Sequence, residues 1–188
     1  VAVLNHRVHP KYIYDAVNIL DSMPFLIIEN KVLYTKHSDI NPALGYEYEF
    51  TDNLFPDLLI KTVYEEPSAT IICYGGVLIE VEDAILELAI EHEIFVDIVC
   101  PTIISHINFS EISKSLQVTG NLLIVEEGSS FASWGSEVVA KLSENDCHPK
   151  KISRISNNDI IPSSFIAESR ILPNKERVIS EIIKFSKC

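Results

Sequence analysis

The chain is short of cysteine, of basic residues and of long apolar runs, and each shortage removes a class of protein. Its four cysteines, Cys73, Cys100, Cys147 and Cys188, are widely spread and form no C-x-x-C. Two of them lie inside apolar runs, where buried free cysteine is common. The pattern fits a reduced, cytoplasmic setting. Only 15 Lys and Arg stand against 27 Asp and Glu, a formal net charge of -12. Nucleic acid is therefore an unexpected partner, because phosphate backbones are bound through clustered Lys and Arg. A basic protein partner is compatible with this balance. No apolar run approaches the roughly 18 residues that a membrane span needs. The first residues include His6, Arg7 and His9 and hold no long apolar region, so no signal or transit peptide is expected. The only methionine is Met23 and the first residue is Val1, as in a processed chain, an excised domain or part of a longer reading frame. G-x-S-x-G, H-E-x-x-H and the P-loop pattern are also missing.

What is present is a globular composition, 47% hydrophobic and 22% charged over 188 residues. At about 100–200 residues per domain, that is room for one domain and an extra piece. Three sections emerge. Residues 1–30 read strand–helix–strand: Val1 to Leu4 is apolar, Pro10 suits a first helical turn, and Ile13, Ala16, Val17 and Leu20 share a face. Phe25 to Ile28 is a buried-type strand. Two strands and one helix cannot enclose a core, so this section reads as the tail of a second α/β domain. Residues 31–67 fit no period and place Tyr34, Tyr46, Tyr48, Phe50, Phe55 and Tyr64 among acids and prolines. They read as an interdomain linker that docks through its aromatics.

Residues 68–188 form a complete α/β domain in which short apolar strands alternate with amphipathic helices. Strands are expected near 69–74, 94–99, 121–126 and 150–155, and helices near 77–92, 109–118, 134–145 and 174–186. Strands alternating with helices of this length argue for βαβ units and a parallel sheet. Asn108 and Glu111 make a capping-box pair before the second of these helices. In such sheets function collects beyond the carboxyl ends of the strands, which here hold Tyr74-Gly75-Gly76 and Glu127 to Gly135.

Several groups there carry chemistry, and each has a plainer reading. Gly75-Gly76 opens a helix, where free N–H groups hold an anion, or else serves as a tight structural turn. The segment Gly128 to Glu137 is rich in hydroxyls: Ser129, Ser130, Ser133 and Ser136, with Ser133 placed to cap the next helix and Glu137 in its first turn. Phe131 and Trp134 beside them suit an interface or ligand contact; the alternative is that both rings bury against their own domain. Glu126-Glu127 is an acid–base pair only if both carboxylates reach one face, and neighbours on a strand do not. A solvated or capping role is the simpler assignment. His6-x-x-His9 has metal-ligand spacing but no third ligand, and His92 reads as a wet helix end.

Ala69 to Gly76, then Thr119 to Gly128, then Trp134-Gly135-Ser136-Glu137 resemble the transketolase C-terminal domain. The version they are most similar to belongs to the beta subunit of thiamine-diphosphate-dependent 2-oxo acid dehydrogenases of the pyruvate type. Pro24 to Tyr34 resembles the run that ends that family's pyrimidine-binding domain, and Ile171-Leu172-Pro173 with the final helix matches its ending. The resemblance implies a three-layer α/β sandwich with a mostly parallel sheet. It implies a parent enzyme that oxidatively decarboxylates a 2-oxo acid with thiamine diphosphate and magnesium. The glutamate and histidine that serve the cofactor lie upstream of anything matched here, so no catalytic residue carries over and this chain alone is expected to be inactive. The partners implied are a second copy in a homodimer or an alpha-type subunit, with an acyltransferase core in multienzyme complexes. A potassium site is implied at Asn18, Ile19, Asp21 and Met23, although Met23 stands where an oxygen-bearing side chain is expected. The family's Asp-Leu-Arg-Thr is replaced by Cys100-Pro101-Thr102-Ile103, and its Gly-Gly-Phe-Gly by Ala132-Ser133-Trp134-Gly135. Two other readings remain: a non-catalytic module binding a small anion or a partner, and part of a transketolase-type enzyme.

Overall fold

The structure, a computed structural model, describes residues 1–20, 24–35, 41–157 and 160–186. Six strands make its main sheet: β3 (Tyr46–Phe50), β4 (Leu58–Thr62), β5 (Thr70–Cys73), β6 (Asp97–Cys100), β7 (Asn121–Ser129) and β8 (Lys151–Asn157), in the order β3-β4-β6-β5-β7-β8. β5, β6, β7 and β8 are parallel, while β4 runs antiparallel to both β3 and β6. Strand β5 lies between β6 and β7, with Ile71 opposite Ile98 and Leu123.

Alternation along the strands sends successive side chains to opposite faces, and helices cover both. Ile71, Cys73, Leu123 and Val125 face α2 (Leu78–His92) and α6 (Lys175–Ser186). Ile72, Leu122 and Ile124 face α3 (Phe109–Thr119) and α4 (Trp134–Glu144). The result is the expected three-layer α/β sandwich. Each helix presents an apolar stripe: Val81, Ala84, Ile85 and Leu88 of α2 are buried, as are Val178 and Ile182 of α6. Half of the capping box read at Asn108 and Glu111 is seen. Asn108 accepts from the Ser110 backbone N–H at 3.0 Å, while Glu111 pairs with Lys114 at 2.6 Å. The short helix α5 (Phe165–Ile171) went unread because only seven residues show too few turns for a period.

The stretch 31–67, which fits no period in the sequence, carries regular structure, starting with a 3-10 turn at Lys31–Thr35. Residues 46–50 and 58–62 are strands of the main sheet, and β4 pairs directly with the parallel core through β6. Tyr46-Glu47-Tyr48-Glu49-Phe50 alternates aromatic and acid with the period of a strand. Tyr46 is buried, and Tyr48 and Phe55 pack on the core, while Tyr34, Phe50 and Tyr64 stay exposed, so only half of the aromatics named there dock.

The first section folds as β1 (Ala2–Val3), α1 (Pro10–Ile19) and β2 (Ile27–Ile28), with the two strands parallel. It is fastened to the larger sheet rather than separate from it. Ala2, Val8 and Ile13 join the core on the α2 side, and the Val3 N–H donates to the Thr102 carbonyl at 2.9 Å. Its outer side keeps Tyr12, Ile19, Leu26 and Ile28 exposed.

Candidate functional site

The two places singled out beyond the strand ends are both occupied by groups of this chain. After β5 the backbone turns at Gly75, with φ +64, and runs through a 3-10 turn into α2. A Cβ on Gly75 would lie 2.7 Å from Val3 Cγ1, and one on Gly76 would overlap the Asn30 side-chain amide. The glycine pair is thus the seam on which the first section sits, which is the structural reading of this turn. Gly76→Ala is expected to loosen that seam, seen as faster hydrogen exchange in β1 and β2. The sheet core should lose only about 1–2 kcal/mol, since one methyl group must be accommodated.

At the end of β7, Glu126 is fully buried. Its Oε2 accepts from the Gly135 backbone N–H at 3.0 Å, while Oε1 has no hydrogen-bond partner among the described residues. The positive N-terminal end of α4 therefore already holds a carboxylate, and Ser133 caps it further, accepting from Ser136 N–H at 3.3 Å. This is the capping role anticipated for Glu126, now as a buried group; Glu127 beside it is exposed.

The serine loop is organised from outside by Arg154 of β8, a residue no sequence motif marked. Its Nη1 donates to Ser133 Oγ at 3.1 Å and Ser136 Oγ at 2.6 Å, and its Nη2 to the Ser130 carbonyl at 3.3 Å. The two aromatic rings of the loop part ways. Trp134 meets Tyr74 edge-on with centroids 4.8 Å apart, and its Nε1–H donates to the Ile104 carbonyl at 3.2 Å. Phe131 is 86% exposed. Ser129 and Glu137 are exposed too, and Ser130 is half-buried. Between the rings, Ala132 holds φ 50, a left-handed conformation costly for any residue with a Cβ. The resembling family carries glycine here, so Ala132→Gly is expected to raise stability by about 1 kcal/mol, read as a higher denaturation midpoint.

The metal readings separate differently. Asp21 and Met23 of the potassium site lie outside the described residues, and Asn18 and Ile19 are exposed near the end of α1. His6 and His9 do not converge on a metal. His9 Nδ1 accepts from the Lys11 N–H as the cap of α1, and His6 Nε2 is 2.7 Å from Glu82 Oε2. No cluster of three or more His, Cys, Asp or Glu suited to a metal occurs among the described residues.

His6 belongs instead to a largely buried polar cluster that the sequence did not reveal, since Glu82 at its centre lies 34 to 76 residues from the other members. Glu82 of α2 accepts from His6, from Arg7 Nε at 2.9 Å and from the Tyr48 hydroxyl at 2.9 Å. Arg7 also lies over the Tyr48 ring, 5.1 Å from its centroid. Burial opposes ionisation of Glu82, yet the hydrogen bonds from His6 and Arg7 outweigh it and hold the carboxyl below its ordinary value. The cluster ties the first section, β3 and α2 together.

Residues 60–178 match the transketolase C-terminal domain family. The chain belongs to that family. The chain is 27% identical over 171 residues to the mitochondrial pyruvate dehydrogenase E1 component subunit beta of Caenorhabditis elegans, a match spanning 88% of this chain and 47% of that protein. To the corresponding subunit of Rickettsia bellii it is 24% identical over 173 residues, spanning 88% and 49%. The chain thus spans about half the length of the curated relatives it matches. Among solved structures, a split gene transketolase described as an inactive beta4 tetramer matches with a TM-score of 0.57 and 23% identity, over 64% of this chain and 39% of that one. The 2-oxoglutarate:ferredoxin oxidoreductase of Magnetococcus marinus matches with a TM-score of 0.50 and 11% identity, over 69% and 19%. These two likenesses bear on the fold, and they agree with the sandwich described above. No helix among the described residues is long and apolar enough to cross a membrane.

Proposed function

We propose that this transketolase C-terminal domain serves assembly and active-site support in a thiamine-diphosphate-dependent 2-oxo acid dehydrogenase of the pyruvate type, as a beta-type subunit or part of one. The observation that carries the reading is the sequence match to two pyruvate dehydrogenase beta subunits over 88% of this chain. The first section is proposed to be the end of a pyrimidine-binding-type domain, on the resemblance of residues 24–34. The boundaries 1–30, 31–67 and 68–188 belong to the same proposal, with the reservation that strands β3 and β4 lie within the middle segment.

The residues at the strand ends do not fit the cofactor. Its diphosphate and magnesium would need free N–H groups and open space, whereas Glu126 fills the start of α4 and Val3 and Asn30 fill the Gly75-Gly76 seam. No chemical step is therefore assigned to this chain. Its part is to hold subunits in place while thiamine diphosphate and magnesium are bound by other parts of the parent. The partners proposed are a second copy or an alpha-type subunit, and an acyltransferase core where a multienzyme complex exists. The exposed Tyr12, Ile19, Leu26 and Ile28 support a first section that packs against further protein. The free thiols of Cys73, Cys100 and Cys147 support a reducing, cytoplasmic setting.

Phe131 is the loop's most exposed aromatic side chain and so its interface candidate. Phe131→Ser is expected to leave stability within about 0.5 kcal/mol and to weaken association measured by light scattering. Unchanged association removes Phe131 from the interface.

The overall reading is tested by isothermal titration of thiamine diphosphate and magnesium into the chain, with its mass followed by light scattering and 2-oxo acid decarboxylation assayed in parallel. No cofactor binding, no activity and a dimer are expected. Decarboxylation without any partner would overturn the assembly role. The module alternative rests on an anion site at the same strand ends, and the buried Glu126 carboxylate argues against it.

A further inference from the structure

Two of the free thiols meet in the core. The register of β5 and β6 pairs Ile72 with Val99, so the next residues, Cys73 and Cys100, stand opposite one another on adjacent strands. Both are 0% exposed and both belong to the core on the α2 side of the sheet. The Cys73 side chain is hydrogen-bonded with that of Cys100. Neighbouring strands lie about 4.8 Å apart, inside the Cα separation of about 4.4–6.8 Å that a disulfide needs. A bond between the two sulfurs therefore asks for side-chain rotation and not for a shift of the strands.

The first section covers this pair. Cys73 closes β5 just before the Gly75-Gly76 seam, and Cys100 closes β6. The Asn5 side-chain amide donates to Cys100 Sγ at 3.5 Å. Its Oδ1 in turn accepts from the Arg7 and Val8 backbone N–H groups at 2.9 and 2.8 Å, so the residue on the thiol also shapes the turn that follows β1. Ala2 and Val8 fill the same core. The cover itself is slight. Its two strands have two residues each, and its backbone reaches the larger domain through Val3 N–H to the Thr102 carbonyl and Ile104 N–H to the Val1 carbonyl, at 2.9 and 3.1 Å. Units with few such bonds open locally, at less cost than global unfolding.

Covered and uncovered thiols differ in chemistry. Under the cover, the hydrogen bond to Cys100 and burial push the Cys73 thiol up, and the Glu82 carboxylate adds to this. Only a thiolate attacks a disulfide, so the closed pair is inert; in water both thiols regain ordinary acidity. We infer that Cys73 and Cys100 are a redox-sensitive dithiol gated by the first section, which closes to an intrachain disulfide when that section lifts in the presence of a low-molecular-weight disulfide. One cysteine thiolate attacks the small disulfide, forming a mixed disulfide and expelling one thiolate. The other cysteine then attacks the protein-bound sulfur and expels the second. The pair gives up two protons and two electrons, and the small disulfide is reduced to two thiols. The inference stands apart from the assembly role and survives or fails without it.

The test incubates the chain with glutathione disulfide under native conditions, as the parent and as a Cys147→Ser, Cys188→Ser variant that removes the other two thiols. Mass spectrometry of the intact chain and of its peptides follows the loss of two hydrogens and the Cys73–Cys100 cross-link. That cross-link is the expected product in both, reversed by dithiothreitol. Its rate should respond only weakly to denaturant, because lifting the first section exposes little surface. Gly76→Ala should raise the rate about tenfold, the factor for a seam weakened by about 1.4 kcal/mol. Cys73→Ser should stop at the mixed disulfide on Cys100. Circular dichroism checks that each variant is folded. No cross-link after prolonged incubation, a cross-link formed only where denaturant unfolds the whole chain, or a rate untouched by Gly76→Ala would overturn the gated pair.

Discussion

Replacing Glu82 by alanine is expected to destabilise the chain by about 3–5 kcal/mol, as for removing the shared carboxylate of a largely buried ion-pair cluster. The side chains of Glu82 and His6 are 11% and 9% exposed and that of Arg7 is 16% exposed, so water replaces the lost carboxylate only in part. Loss should also be local in character. Hydrogen exchange in β1 and α1 should accelerate before exchange in β5 or β7, because Glu82 reaches back from α2 to His6 and Arg7. Equal acceleration everywhere would mean that the cluster does not anchor the first section in particular. The pH dependence has a definite sign. Glu82 titrates below its ordinary value of 4.5 in the folded chain, so the folded state favours its charged form. That stability is fully present above about pH 4.5 and fades as the pH falls through the lower folded value. Glu82→Gln should therefore be less stable than the parent at neutral pH, and its stability should fall less steeply below about pH 4.5. Chemical denaturation at a series of pH values measures both.

Gly135→Ala carries the second large effect. A Cβ there would lie 2.5 Å from Glu126 Oε1 and 3.0 Å from Ile124 Cγ2, in a site where glycine, glutamate and isoleucine are all buried. Either the carboxylate swings away and abandons the Gly135 N–H, or α4 lifts from the sheet. Both routes cost about 2–3 kcal/mol, by overpacking or by a lost charged hydrogen bond. Glu126→Ala alone should cost about as much, through the unsatisfied N–H and the space left behind. Because the added methyl group and the carboxylate compete for one volume, the double variant should cost clearly less than the sum of the two. Strict additivity in denaturation experiments would show that they do not meet. The same contact explains why a helix start that looks like an anion site is not open to one: the Glu126 side chain of β7 already fills it.

Much of this fold was legible in the residues. Ile71 to Cys73 and Leu122 to Val125 are unbroken apolar runs of strand length bounded by turn residues, which read as strands buried on both faces. The intervening stripes have helical period, and the caps at Asn108 and Ser133 are local chemistry. The family resemblance rested on these same runs. Residues 46–62 were harder, because an antiparallel pair at a sheet edge needs only one apolar face and its acids resemble a solvated loop.

What the sequence by itself determined is the strands and helices of the parallel core and their order, because period, capping and strand length depend on neighbours a few residues apart. Tertiary structure alone decided the occupants. It brought Glu82 to His6, Arg7 and Tyr48, put Asn30 and Val3 against Gly76 and Gly75, and aimed Glu126 at Gly135. A buried polar group's role is set by whichever donor or acceptor shares its desolvated volume, and no local pattern encodes that neighbour.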